Sequence, residues 1–158
     1  HVLDCKLEIN LFYRTKEREL AIEKALKNAG AEDILGVSNQ TELKSLSSMR
    51  RYVDPKGISI ADTVLVPLED GDRTEALKKA KKNVIAIDLN PMSRTSMFAD
   101  ITIVDNVVRC IPEMISSIKT LKTLSKNELE KIVKDFDQKT NLRKALDEMI
   151  TYLSNFKF

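Results

Sequence analysis

The sequence predicts an α/β fold, a mostly parallel sheet flanked by helices with a helical C-terminal tail, and three features predict it. Runs of four residues at 63–66, 84–87 and 101–104 read as strands, and Val84 to Ile87 is apolar throughout. An unbroken apolar run is the mark of a strand covered on both faces, as helices cover a parallel sheet. Residues 6–37 run strand, helix, strand, the order of a βαβ unit. Past about Lys122 only helical periodicity remains.

The chain's 158 residues are the length of one domain, enough to bury a core without staples. Hydrophobic residues make up 42% and charged ones 32%, the balance of an ordinary globular protein. The 26 basic side chains against 24 acidic ones leave a net charge of +2, which gives no nucleic-acid footprint. No apolar run approaches the roughly 20 residues needed to cross a bilayer. No secretory signal opens the chain, so no membrane partner and a cytoplasmic setting are expected. Cys5 and Cys110 match no CxxC or metal spacing and are expected as free thiols. A composition rich in Lys and Glu and without Trp is compatible with a heat-adapted source. Because the chain opens at His1 rather than Met, it reads as a fragment or a chain lacking its natural start.

Each element has its local cause. Residues 6–11 alternate polar and apolar before Phe12 and Tyr13, a strand pattern. Thr15 suits the cap of a helix carrying Ile22, Leu26 and Ala29 and ended by Gly30. Residues 34–37 make a short second strand. Residues 38–56 lack a period, carry Ser45, Ser47, Ser48 and the pair Arg50-Arg51, and read as a long loop that is either functional or partly helical. Asp54-Pro55-Lys56-Gly57 is a turn. After the strand at 63–66 and Pro67, Asp72 and Glu75 have capping-box spacing for a helix through Lys81. The acids Glu69, Asp70 and Asp72 serve as caps and turn formers, or one of them helps hold Mg²⁺ beside a nucleotide.

The strand at 84–87 stops at Asp88-Leu89-Asn90-Pro91, followed by Ser93-Arg94-Thr95. The carboxyl ends of strands are where open α/β sheets bind ligands. Asp88 and Asn90 suit a sugar or base, and Arg94 and Thr95 suit a phosphate, although a solvated turn would carry the same polar residues. The strand at 101–104 ends likewise in Asp105-Asn106, and two such neighbouring ends define one crevice. The next helix carries Ile111, Ile115, Ile118 and Leu121, with Pro112 placed in its first turn. Ser125 and Glu128 form a capping box for a helix with Leu129, Ile132, Val133 and Phe136 on one face. A last helix presents Leu142, Ala145, Leu146, Met149, Ile150 and Leu153. Both stripes are expected as core or subunit contacts, opposite a solvated basic face.

The absences constrain the chemistry. Gly30, Gly36, Gly57 and Gly71 have neither GxGxxG nor P-loop spacing. The lone histidine, His1, leaves no basis for His acid/base catalysis or a His zinc site. Any reaction must rest on positioning and on charge stabilisation by Arg, Lys, Asn and a metal ion.

Several long strings occur together and carry a resemblance: Glu8-Ile9-Asn10-Leu11-Phe12-Tyr13-Arg14-Thr15; Val64-Leu65-Val66-Pro67-Leu68-Glu69-Asp70-Gly71-Asp72-Arg73-Thr74; Ile87-Asp88-Leu89-Asn90-Pro91 with Ser93-Arg94-Thr95; and Val104-Asp105-Asn106 with Arg109. Over roughly residues 7 to 120 the chain resembles the archaeal phosphopantothenate synthetases, the 4-phosphopantoate:β-alanine ligases of coenzyme A biosynthesis. The resemblance implies a homodimer with a Rossmann-like ATP site that uses ATP and Mg²⁺ to join 4-phosphopantoate to β-alanine. The carboxylate is activated as an acyl adenylate with release of pyrophosphate, and the amine then displaces AMP, giving 4'-phosphopantothenate. Carried over by position, ATP contacts fall on Asp88, Leu89, Asn90, Arg94, Thr95, Asn106 and Val107. No metal ligand and no catalytic side chain is assigned.

With that resemblance, Asp88 is expected to accept from ribose hydroxyls, Asn90, Arg94 and Thr95 to orient the phosphates, and Asn106 to meet base or ribose. Residues 1–124 are expected to form the nucleotide-binding and catalytic domain, with the helices of 125–158 packing on it or at a dimer interface. The family also carries a helical N-terminal region supplying basic residues, which this sequence lacks. Two other readings stand beside the ligase: a Rossmann-like domain for NAD(P), disfavoured by the missing glycine fingerprint, and a non-catalytic module whose C-terminal helices form an interaction face.

Overall fold

Three parallel strands carry the core of the structure, a computed structural model that describes residues 2–38, 40–43 and 49–157. The strands β5 (Thr63–Val66), β6 (Asn83–Ile87) and β7 (Ile101–Ile103) lie in the order β5-β6-β7, with Val64 opposite Val84 and Ala86 opposite Thr102. Val64, Val66, Val84 and Ala86 are buried together with Leu77 from α2 (Gly71–Lys79) and Ala99 after α3 (Arg94–Phe98). Helices packed on apolar strands are the α/β arrangement expected from the sequence.

The N-terminal βαβ unit is present but its strands are short. β1 (Leu7–Glu8) pairs in parallel with β2 (Ile34–Leu35), and Ile9 N–H extends the ladder to Leu35 O at 2.9 Å. Pairing stops where Gly36 turns to φ +87, with its position so close to Ile9 O that a Cβ would lie 2.3 Å away. Between these strands, α1 (Lys16–Asn28) starts at the expected cap Thr15 and ends at Ala29, followed by Gly30 at φ +92. Its buried residue is Glu19, while Ile22 and Leu26 are half-buried.

The irregular stretch predicted at 38–56 contains structure the sequence pattern did not show. β3 (Thr41–Glu42) pairs antiparallel with β4 (Tyr52–Val53), preceded by one 3-10 turn at Met49–Arg51. Ser45, Ser47 and Ser48, like His1, lie outside the described residues. The turn at Asp54 to Gly57 is closed by Gly57 N–H on Asp54 O at 3.1 Å.

Two local expectations need correction. The cap of α2 is Asp70, which accepts from Arg73 N–H, so the Asp72–Glu75 pair lies inside the helix. The helix ends at Lys79 because Lys81 takes a left-handed φ of 60, which stops helical propagation. Pro112 sits in the second turn of α4 (Val107–Leu121), where it removes an interior N–H rather than an orphan one.

The tail is helical as expected: α5 (Lys126–Asp135) opens with the Ser125–Glu128 capping box, and α6 (Gln138–Asn155) is capped by Asp137. α6 touches the sheet at its first turn. Gln138 accepts from Thr102 N–H at 3.0 Å and donates to Ser96 O at 2.9 Å, and Asn141 donates to Thr102 O at 2.8 Å. These amides complete the outer edge of β7, which borders no further strand among the described residues. The apolar faces farther along are open to solvent, including Val133 and Leu153, each 69% exposed.

Candidate functional site

Parallel strands deliver their following loops to one edge of the sheet, and here three loops meet there. Pro67 to Asp70 follow β5, Asp88 to Ser93 follow β6, and Val104 to Asn106 follow β7. Asp88 N–H bonds Ile103 O at 3.1 Å, so the second and third loops leave from adjacent points. Each loop ends in a helix cap: Asp70 for α2, Ser93 for α3 and Asn106 for α4.

The β6 loop is held by its own polar side chains. Asp88, 5% exposed, accepts from Asn90 N–H at 2.9 Å and from the Ser93 hydroxyl. Asn90 Oδ1 accepts from Met92 N–H at 3.0 Å, and its carbonyl accepts from the Ser96 hydroxyl at 2.8 Å. Thr95 is fully buried and accepts from Asp70 N–H at 2.8 Å while donating to Glu69 at 3.2 Å. A threonine hydroxyl thus fastens the β6 loop to the β5 loop.

Outward from that frame stand Leu89, 59% exposed, the exposed Asn90 and the guanidinium of Arg94. Arg94 reaches Asp72 and Glu75, each at 2.9 Å. Its hydrogen bonds to these acids hold its pKa above the usual arginine value, and Lys79 with Arg94 holds Glu75 low. Gly71 permits this placement, because a Cβ there would lie 2.8 Å from the Cβ of Arg94. Asn106 and Val107 are half-exposed at the start of α4, with Asn106 Oδ1 taking Val108 N–H at 2.9 Å. The structure therefore brings all seven sequence-derived positions to one edge, with Asp88 and Thr95 turned inward.

A second polar cluster at the same edge escaped the sequence analysis. Arg73 Nη2 donates to Asn10 O at 2.7 Å, and its Nε faces Asp70 at 3.1 Å. Arg50 faces the same carboxylate at 2.5 Å and lies over the Phe12 ring at 5.1 Å from its centroid. Asn10 Nδ2 donates to Arg50 O and Tyr52 O. Arg14 bridges Glu19 and Gly36 O. Burial pushes the Arg73 pKa down, opposed by Asp70 and reinforced by the like charge of Arg50. The sequence signal was a polar Asn10 between Ile9 and Leu11, but its partners come from residues 40 to 63 positions away.

Cys110 offers no competing nucleophile. Both cysteines are free; Cys110 is buried, and burial followed by Asp105 pushes its thiol up, away from the nucleophilic thiolate. Among the described residues, no three of His, Cys, Asp or Glu gather as a metal site. A groove on α5, lined by Lys126, Leu129, Glu130, Val133 and Lys134, holds no such group either.

The family described as phosphopantothenate/pantothenate synthetase matches residues 1–152. The chain is 49% identical over 145 residues to the 4-phosphopantoate–β-alanine ligase of Thermococcus kodakarensis, covering 91% of this chain and 56% of that protein. The ligase of that name from Methanosarcina mazei is 45% identical over 152 residues, 96% of this chain and 60% of its own length. That of Methanospirillum hungatei is 37% identical over 151 residues, 95% and 60% respectively. The chain thus spans little more than half the length of these curated relatives.

Proposed function

The chain belongs to the phosphopantothenate/pantothenate synthetase family, and we propose that it forms the nucleotide-binding and catalytic part of an ATP-dependent ligase. The reaction joins 4-phosphopantoate to β-alanine, giving 4'-phosphopantothenate, AMP and pyrophosphate through an acyl adenylate, as a cytoplasmic step of coenzyme A synthesis. The observation that carries this reading is the convergence of the three loops, tied by Thr95, on one sheet edge with Leu89, Asn90 and Arg94 facing outward.

ATP is placed across the ends of β6 and β7. Leu89 offers an apolar surface to base or ribose, and Asn90 and Asn106 offer amide groups. Arg94 exchanges one of its two acids for phosphate oxygens, a change of partner that an exposed guanidinium makes cheaply. Asp88 and Thr95 hold the loop that presents these groups, and Val107 lies at the first turn of α4 beside the nucleotide. Among the described residues no carboxylate cage for Mg²⁺ is formed. This fits an ion that keeps its waters, arrives on the phosphates and needs at most one or two carboxylates, for which Glu69 and Asp72 are the exposed acids. Bound there, the ion would offset charge on the polyphosphate.

Residues 1–124 form the catalytic domain in this reading, and α6 packs on it through Gln138 and Asn141. The remaining apolar faces of the tail serve a homodimer contact. No helix among the described residues is long and apolar enough to cross a membrane. Thermal shift tests the nucleotide choice. ATP with Mg²⁺ should raise the melting temperature and NAD should not, whereas stabilisation by NAD alone would contradict the reading.

A further inference from the structure

Two exposed guanidinium groups flank the loop after β6, and the ligase reading employs only one of them. Arg94 is drawn to the β5 side by Asp72 and Glu75 of α2. Arg109, in the first turn of α4, stays on the β7 side, where Asp105 Oδ1 accepts from its Nε at 3.0 Å and from its Nη2. Strand β6 lies between β5 and β7, so the two arginines stand on opposite sides of Asp88 to Ser93. The same Asp105 oxygen takes Asn106 N–H at 2.6 Å, which fixes Arg109 beside a residue placed at the nucleotide.

Arg109 is oriented yet open to a ligand. Its side chain is 72% exposed, and its Nη1 has no partner among the described residues. The edge formed by Nη1 and Nη2 can therefore meet a phosphate through two parallel hydrogen bonds while Asp105 keeps the guanidinium in place. Other arginines of this sheet edge lie deeper. Arg50 and Arg73 share Asp70, and Arg14 bridges Glu19 and Gly36 O, with side chains 21%, 18% and 7% exposed respectively. The proposed reaction handles two phosphorylated molecules, ATP and 4-phosphopantoate, and Arg94 serves the first. 4-Phosphopantoate carries its phosphate at the end away from the carboxylate that is activated. That phosphate needs a cation apart from those on the polyphosphate.

Resting on the ligase reading above, we infer that Arg109, oriented by Asp105, holds the phosphate of 4-phosphopantoate and so selects the phosphorylated acid over pantoate. The nucleotide phosphates then lie toward Arg94 and the phosphate of the acid toward α4. Asp105 links the two ligands, because one of its oxygens holds both Asn106 and Arg109.

Steady-state kinetics of the full-length protein separate the two phosphorylated substrates. Arg109→Gln is expected to raise KM for 4-phosphopantoate about tenfold or more, the loss of a charge-assisted contact, with KM for ATP and for β-alanine within about twofold of wild type. Arg109→Lys should fall between, since it keeps the charge and loses the fork. Pantoate lacks the phosphate, so its inhibition constant against 4-phosphopantoate should move less than about twofold in Arg109→Gln, a readout that general damage to the fold would not spare. A rise in KM for ATP with KM for 4-phosphopantoate unchanged would assign Arg109 to the nucleotide and overturn the inference. So would three unchanged KM values, which would leave a solvated ion pair, or three raised together, which would leave a structural role. Absence of product from the wild-type protein would instead remove the ligase reading, and the inference with it.

Discussion

Arg94 shows how one side chain can be poised without being buried. Its charge is matched by Asp72 and Glu75, but its side chain is 57% exposed, so the ion pairs are screened and easily exchanged. Arg94→Ala should raise KM for ATP about tenfold in steady-state assays, the weight of a charge-assisted contact to phosphate. An unchanged KM would remove Arg94 from the site. Titration gives a second residue-level check. Burial is the largest influence on Glu8 and raises its pKa, so its contribution to stability is present at low pH and fades as pH rises through the folded value. Glu128 behaves oppositely, because Ser125 holds it low and its contribution is lost as pH falls through the folded value. Chemical-shift titration should place the Glu8 midpoint above the ordinary 4.5 and the Glu128 midpoint below it. At this scale the sequence was informative where a residue acts on near neighbours. Ser125 with Glu128 and Thr15 are caps readable within four positions, whereas the inward turn of Thr95 depends on Asp70, 25 residues away.

Among the elements, α6 and β7 depend most visibly on each other. Thr102 is 2% exposed at the sheet edge, and Gln138 supplies its N–H acceptor and an amide donor to its hydroxyl at 2.7 Å. Gln138→Leu strands these groups in a dry contact and should cost about 1–3 kcal/mol in urea unfolding. An unchanged midpoint would mean that α6 does not cover the edge. The three strands of the main sheet were legible because each buries enough apolar surface to declare itself in sequence. The β3–β4 pair was not, since two-residue strands have no measurable alternation and their pairing is a tertiary choice. The start of α2 was misplaced for a related reason. Asp72 has the right spacing to Glu75, but Asp70 is held by Arg50, Arg73 and Thr95, contacts that no local pattern contains.

The whole molecule exposes more surface than a chain of its size needs to. Its accessible area is 11176 Å² for 17.9 kDa, against about 8,000 Å² for a compact monomer of that mass. Much of the apolar share lies on the tail, where Val133, Ile150, Tyr152 and Leu153 are each more than 60% exposed. In the proposed homodimer these side chains supply the contact between two copies of the chain. Light scattering should therefore return twice the chain mass, and Val133→Glu with Ile150→Glu should return the chain mass. A monomeric wild type would contradict the assigned contact. The edge where three loops converge was legible as a place from the strand ends, because parallel sheets put their ligands there regardless of detail. The second polar cluster was not, because it is assembled from the segment after β1, the 3-10 turn and α2.

Mass spectrometry of the full-length protein with ATP, Mg²⁺, 4-phosphopantoate and β-alanine tests the proposed chemistry directly. The account predicts 4'-phosphopantothenate together with AMP and pyrophosphate in equal amounts. Absence of that product, or its appearance with ADP and phosphate in place of AMP, would contradict it.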